Sequence, residues 1–186
     1  MTLYRVLLHD PSAAPTEPGG ALYVPAQQGS GRIDNPAHYR VLYLGDSAAG
    51  ACAEVFYRGA HRTAWTPTML PLRRYPHLVR ALASYELVET APVCDLDDPE
   101  RLLEFQLRPS QVITREYARS QAWALRLFHE QRFCGVSWWS FHDARWKSVG
   151  LWNTESLAPS AVTPLTIDHP AFAQAAAVLD VRIVSR

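Results

Sequence analysis

The chain reads as an α+β fold, mixed β-sheets flanked by helices, in one domain spanning residues 1–186. Three observations predict this. Short apolar runs of β type (Leu3–Leu8, Val41–Leu44, Gly135–Ser140) are interspersed with stretches of helical periodicity. Apolar residues make up 48% of 186 residues, enough for a sizeable core. No repeat, linker or low-complexity segment divides the sequence.

Taken in order, Leu3–Leu8 alternates around Tyr4 and Arg5 as a first strand, and the Pro- and Gly-containing stretch Asp10–Gly20 is a loop. Gln27–Pro36 is a second loop, leading into the strand Val41–Leu44. Asp46 or Ser47 can cap the helix that follows, whose alanines 48, 49, 51 and 53 keep it slim against a sheet, as at the start of a strand-to-helix crossover. Trp65–Pro76 holds three prolines and reads as irregular or a short helix, and Tyr85–Thr90 with Ala91–Leu96 reads as strand, turn and strand. Asp98–Phe105 is a short helix opened by Pro99, where a missing N–H is harmless. The clearest helix runs from Arg115 to Glu130, with Tyr117, Gln121, Ala124, Leu125 and Phe128 on one face. Gly135–Ser140 and Val149–Trp152 are strands joined by a polar turn, His169–Leu179 is a helix, and Val181–Val184 is a closing strand.

Basic and acidic residues balance at 18 each, with no run of five like charges, so the electrostatic footprint of a nucleic-acid binder is missing. A small ligand or a protein is the expected partner. Lys147 is the only lysine, a bias that GC-rich coding explains as well as a need for bidentate anion recognition does. There is neither a basic n-region at the N-terminus nor a span of 18 apolar residues, so a cytoplasmic protein is expected, with no signal peptide or membrane helix. Cys52, Cys94 and Cys134 are odd in number and widely spaced, which suits buried thiols. The histidines form no HExxH or other close ligand pair, so no metal is expected, and the six tryptophans suit core and rim.

The stretch Gly31–Phe56 sets an arginine, a tyrosine and a glutamate around one loop–strand–helix unit, a set that suits an anionic dinucleotide. Glycine and asparagine beside Arg32 permit positive φ and turn backbone N–H groups toward an anion, while the guanidinium adds a fork of donors. Arg5 could serve a second phosphate or hold the loop; the bland alternative makes both arginines surface ion-pairing residues. Glu54 falls about 60° around the helix from Ala51, at the edge of the core face. It could meet a ribose hydroxyl and stabilise an oxocarbenium-like centre, or merely form an i,i+4 pair with Arg58 worth roughly 0.3–0.5 kcal/mol. Tyr43 could stack on a flat heterocycle and offer its hydroxyl to a carboxamide, or simply pack. Ser140, ending an aromatic strand, could reach a ligand at the strand's mouth. His142 and Asp143 suggest a Ser–His–Asp triad, but no GxSxG elbow is present. Gly45-Asp46-Ser47-Ala48-Ala49-Gly50 lacks the Lys-Ser/Thr of a P-loop, and no GxGxxG occurs.

Tyr4-Arg5, Gly31-Arg32-Ile33-Asp34-Asn35-Pro36, Leu42-Tyr43-Leu44 with Glu54 eleven residues past the tyrosine, and Gly135-x-x-x-x-Ser140 together resemble the RES-domain family, named for Arg, Glu and Ser. The resemblance implies an ADP-ribosyltransferase-like fold with an NAD-binding cleft. It also implies a bacterial toxin that degrades NAD by phosphorolysis or hydrolysis and is paired with an Xre-like antitoxin, in a possible oligomer with it. Site residues that it implies are Arg5 and Arg32 on the pyrophosphate, Tyr43 beside nicotinamide, Glu54 on the ribose and Ser140 on the ribose or amide. NAD is then the substrate, inorganic phosphate a possible co-substrate, and no metal takes part. The commonest family pattern at the second arginine is Gly-Gly-Arg-Trp-Asn, whereas Ser30-Gly31-Arg32-Ile33-Asp34 stands here. A mono-ADP-ribosyltransferase acting on a protein and a catalytically silent binding module are the alternatives.

Overall fold

Leu3 and Leu7 point to one side of the first strand and Tyr4 and Val6 to the other, and this alternation builds β1 (Thr2–His9) into the middle of a large sheet. The computed structural model describes residues 1–58, 63–72, 74–88 and 92–185. After β1 come β2 (Leu42–Gly45), α1 (Ala48–Phe56), β3 (Ala64–Trp65), β4 (Val79–Leu87), β5 (Val93–Asp95), α2 (Pro99–Glu104) and α3 (Pro109–Val112). Then follow α4 (Tyr117–His129), β6 (Gly135–Trp139), β7 (Lys147–Leu151), β8 (Leu157–Pro164), α5 (Pro170–Leu179) and β9 (Arg182–Ile183). The seven-stranded sheet has the order β5-β6-β7-β2-β1-β4-β8, and β3 and β9 form a separate two-stranded ladder. Only β5–β6 and β3–β9 are parallel among the described ladders. The class is α+β with mixed sheets, as the sequence predicts.

Four expectations need correction. The strand expected from Tyr85 begins six residues earlier, at Val79, because β4 lies between β1 and β8 with both backbone edges paired and needs no strong side-chain pattern. Its expected end and the start of the next strand fall on Glu89, Thr90 and Ala91, outside the described residues. The sequence reading has no strand at β8, whose Pro159 and Pro164 argue against one; an edge strand tolerates proline because one row of N–H groups has no ladder partner. Helix α4 buries Ser120, Trp123, Ala124 and Leu127, of which only Ala124 belongs to the expected face; Leu125 and Phe128 of that face are partly buried and Tyr117 is exposed, since the Trp123 ring is the largest anchor and donates Nε1–H to the Gln111 carbonyl. Finally, β2 and α1 do not open a parallel crossover: both neighbours of β2 are antiparallel, and the chain after α1 goes to the small ladder.

The core has three parts. On one sheet face, α1 and α5 pack together through Phe56 and Phe172, with ring centroids 5.0 Å apart, over Tyr4 and Val6. The opposite side of β1 and β4 buries Leu3, Leu7, Tyr85 and Leu87. The third part joins Trp123 and Leu127 of α4 to Val136 and Trp138 of β6, and to Ile33 of the second loop. This last contact sets the loop bearing Arg32 against the sheet. Burial of large apolar groups of this kind stabilises by roughly 1.5–3 kcal/mol for each side chain.

Candidate active site

Strands β1 and β2 share a single ladder pair, Tyr4↔Gly45. Beside this short junction lies a cleft of about 990 Å³ lined by β1, β2, α1, the Arg32 loop, the segment before α4 and the end of β6. That volume is at the upper end of the range of small-molecule sites. Its lining holds Arg5, Arg32, Arg58 and Arg115 against one carboxylate, Glu54, while Lys147, also in the lining, is ion-paired with Asp95 and Asp97. A chain with no net charge therefore gathers positive charge where a ligand would enter, and low-dielectric walls focus such a field.

Glu54 owes its place to the slimness of α1. Ser47, rather than Asp46, caps the helix by accepting from Gly50 N at 3.0 Å, while Asp46 accepts from Lys147 N at 2.9 Å. Gly50 lies so close to Trp146 that a Cβ there would come within 3.2 Å of its ring. The helix thus lies flush on the end of β7, with Glu54 turned into the cleft. The i,i+4 pair with Arg58 does not form through the carboxylate: Arg58 Nε donates to the Glu54 carbonyl at 2.9 Å instead.

The carboxylate turns to the end of β6. Ser140 Oγ donates to Glu54 Oε1 at 2.7 Å, Ser148 Oγ is 3.5 Å from the same oxygen, and His142 Nε2 lies 3.6 Å from Oε2. Ser140 is buried and its own backbone N–H is bound to the Trp146 carbonyl, so the serine is fixed before any ligand arrives. The His142 ring is braced edge-on by Tyr57, at 5.4 Å between centroids. Burial opposes the charged form of Glu54, yet the nearby His142 ring, the hydrogen bond from Ser140 and the charge of Arg58 outweigh it and hold the carboxyl below its usual range. Asp143 takes no part: it accepts from Arg145 Nε and Nη2 at 2.9 and 2.8 Å, so no Ser–His–Asp relay exists.

Arg32 lies across the cleft. Its Nη1 donates to the carbonyls of Val112 and Thr114 at 3.1 and 2.8 Å, and its guanidinium sits 5.4 Å from the centre of the Tyr117 ring. Burial lowers its pKa, partly offset by Tyr117, Glu54 and Tyr43, and a guanidinium so shifted still carries its charge at neutral pH. Helix α4 holds the loop from outside: Ser120 Oγ donates to the Arg32 carbonyl at 2.6 Å and Gln121 Nε2 to the Gly31 carbonyl at 2.9 Å.

Two expectations about this loop change. The glycine and asparagine beside Arg32 are expected to turn N–H groups toward an anion, but the N–H groups of Gly31 and Gly29 donate to the buried carboxylate of Asp34, at 2.7 and 2.8 Å. Only Gly29 has positive φ; Gly31 is required by close approach, because a Cβ there would meet the Tyr43 hydroxyl at 2.5 Å. Nor does the Tyr43 hydroxyl point free into the cleft. It donates to Asp34 Oδ1 at 2.6 Å and accepts from Ile33 N at 3.2 Å, so what Tyr43 offers is its ring. Burial, then the bond to Asp34, push the phenol pKa well up.

Arg5 also lines the cleft, but its Nη1 donates to the carbonyls of Ala21 and Tyr23, at 3.4 and 3.0 Å. Burial lowers its pKa, partly offset by Tyr85. It is neither a surface ion-pairing residue nor a free anion ligand on that nitrogen. Thus Arg5, Arg32, Tyr43, Glu54 and Ser140 all border one cleft, with Glu54 and Ser140 in direct contact. Sequence reasoning missed Asp34, Tyr117, Phe141, His142 and Arg115 as parts of this neighbourhood. Only His142, two residues past Ser140, had a visible signal, and it was read for a different reaction.

Elsewhere, Cys52, Cys94 and Cys134 are buried, and burial pushes the Cys52 and Cys94 thiols up to about 12. Among the described residues no group of three His, Cys, Asp or Glu could hold a metal ion, and no helix is long and apolar enough to cross a membrane.

The RES domain family model matches residues 2–174. No curated protein matches the chain. Among solved structures, a chain of the Mycobacterium tuberculosis MbcT–MbcA toxin–antitoxin complex is similar in fold, with a TM-score of 0.61 and 18% identity, covering 93% of this chain and 86% of that one. With the family model covering nearly the whole sequence, from the first strand into α5, the chain belongs to the RES domain family.

Proposed function

We propose that the protein is an NAD-degrading toxin that breaks the nicotinamide–ribose bond of NAD and passes the ADP-ribosyl group to phosphate or water, as an NAD phosphorylase or glycohydrolase. The observation that carries this reading is the Glu54 carboxylate, held ionised beside Ser140 and His142 in a cleft whose other charged side chains are basic. An anion fixed among cations is what a reaction with an anionic substrate and a cationic transition state requires. Arg32 and Arg5, with Arg58 and Arg115 available at the same cleft, would attract the pyrophosphate, and the Tyr43 ring would flank the nicotinamide. As the C1′–N bond breaks, its electron pair leaves with the neutral nicotinamide and C1′ becomes oxocarbenium-like. Glu54 faces that growing positive charge, and Ser140 keeps its carboxylate from turning away. A phosphate oxygen then bonds to C1′, or water does so and releases its proton to solvent.

The family and the likeness to a toxin–antitoxin complex support an antitoxin partner, which we take to be an Xre-like protein that binds this chain in an oligomer without this chain touching nucleic acid. Phe141 and Tyr117, 57% and 42% exposed at the cleft, offer such a partner apolar surface.

The test is to incubate the purified protein with NAD, with and without inorganic phosphate, and follow nicotinamide and adenine-containing products by chromatography. Phosphate-dependent formation of ADP-ribose-1″-phosphate identifies a phosphorylase, and phosphate-independent ADP-ribose a glycohydrolase. No NAD loss in either condition overturns the proposal.

A further inference from the structure

We propose that Asp34 is a positioning residue of the cleft, one carboxylate oxygen fixing the loop that carries Arg32 and the other fixing the Tyr43 hydroxyl. The protein would thereby supply the anion for its own glycine loop and leave a substrate's phosphates to arginine side chains. The kinetic part of this inference rests on the NAD-cleaving reading above.

The division of labour between the two oxygens is explicit. Oδ2 accepts from Gly29 N at 2.8 Å and Gly31 N at 2.7 Å, while Oδ1 accepts from the Tyr43 hydroxyl at 2.6 Å. Asp34 is 5% exposed, and among the described residues no basic group lies within ion-pair distance of it. Its charge is therefore held by N–H and O–H donors alone. A buried carboxylate without a cation is costly unless such bonds are made, so the arrangement holds together only with all three in place. Gly31 leaves no slack: an added Cβ would meet Asp34 Oδ1 at 2.6 Å and the Tyr43 hydroxyl at 2.5 Å. The backbone of Arg32 lies between these anchored points and Ser120, which binds its carbonyl from α4. Arg32 and Tyr43 stand on different elements, and Asp34 binds the Tyr43 hydroxyl on one side and, on the other, the N–H of Gly31, the residue that precedes Arg32.

Replacing the carboxylate by an amide separates the two functions. In Asp34→Asn a single oxygen remains, able to serve the glycine N–H groups or Tyr43 but not both. In Asp34→Ala neither is served, and the space left approximates a formate ion. Hydrogen exchange at the Gly29 and Gly31 amides reads the loop without reference to catalysis; kcat and KM for NAD, with and without formate, read the consequence. We expect Asp34→Ala to speed exchange at those two amides while α1 and α5 amides are unchanged. Its kcat/KM should fall on the order of 100-fold, the scale of an ångström-sized misplacement. Asp34→Asn should fall between Ala and wild type, and formate should restore activity to Asp34→Ala alone. Unchanged exchange at both glycines would overturn the proposal. So would kinetics within about threefold of wild type, or equal damage in both variants with no rescue. If Asp34→Ala does not fold, Asp34→Asn decides by exchange and kinetics together: faster glycine exchange or a lowered kcat/KM supports the proposal, and wild-type values of both overturn it. If the wild-type protein turns over no NAD, the functional reading falls, and the exchange result alone decides the role of Asp34.

Discussion

The Ser140 hydroxyl donates to the Glu54 carboxylate at 2.7 Å across 86 residues of chain, joining the end of β6 to the exposed edge of α1. Glu54 and Ser140 are separated by the longest stretch of chain between consecutive candidates, and they are in direct contact. The bond also turns Glu54 away from Arg58, four residues on, which binds the glutamate's carbonyl instead.

Glu54→Gln is expected to lower kcat for NAD cleavage by at least on the order of 10²–10³-fold, the loss seen when an electrostatic stabiliser of the transition state is removed. Ser140→Ala, which leaves the charge but frees the carboxylate to turn, should lower it less. Both variants should keep the wild-type circular dichroism spectrum. A Ser140→Ala variant more damaged than Glu54→Gln would show that the serine, not the glutamate, carries the main effect.

The acid side of the pH dependence follows from Glu54. Its folded pKa lies below the ordinary 4.5, so its favourable interactions are fully present above that value and are lost as pH falls through the lower, folded one. Thermal melting of wild type and Glu54→Gln should differ by a constant amount at neutral pH, and the difference should shrink below about pH 4.5. The same carboxylate should place no acid limb on kcat/KM above that pH. An acid limb above that pH would show that a group other than Glu54 limits the reaction.

Gly31→Ala should disrupt the Arg32 loop although the backbone there has no unusual φ. The new methyl would overlap Tyr43 Oη and Asp34 Oδ1, both held by hydrogen bonds inside the protein. Overpacking of this kind costs about 1–3 kcal/mol, read by urea denaturation. Gly29→Ala tests the other reason for a glycine: its Cβ would meet nothing, so any loss there reports the positive φ of 144°.

Arg5→Met is expected to act on stability first. It removes the donor to the Ala21 and Tyr23 carbonyls beneath the first loop, at a cost of about 1.5–3 kcal/mol. If Arg5 also binds the pyrophosphate, KM for NAD rises in protein that is still folded; KM unchanged beside a lowered denaturation midpoint assigns it to the scaffold alone.

Much of the molecule was legible in local pattern. Alternation marked β1, a short apolar run marked β6, and the alanines with a cap at Asp46 or Ser47 marked α1, because periodicity and capping act within a few residues. Strand β4 was half visible and β8 invisible, since the one is made by two flanking ladders and the other by its edge position. Helix α4 was located but rotated, because the burial of Trp123 against distant partners decides which stripe faces inward.

The same division runs through the site. The residue types and their order, Arg5, Arg32, Tyr43, Glu54 and Ser140, are properties of the sequence, and so is the glycine-rich loop around Arg32. What each side chain binds was decided by the fold alone. Glu54 faces Ser140 rather than Arg58, Tyr43 gives its hydroxyl to Asp34, and the glycine N–H groups find their anion within the chain. The physical reason is one of range: propensity, capping and periodicity are set by neighbours in sequence, whereas hydrogen bonds at a buried site are chosen by whichever donors and acceptors packing brings within 3 Å and shields from water.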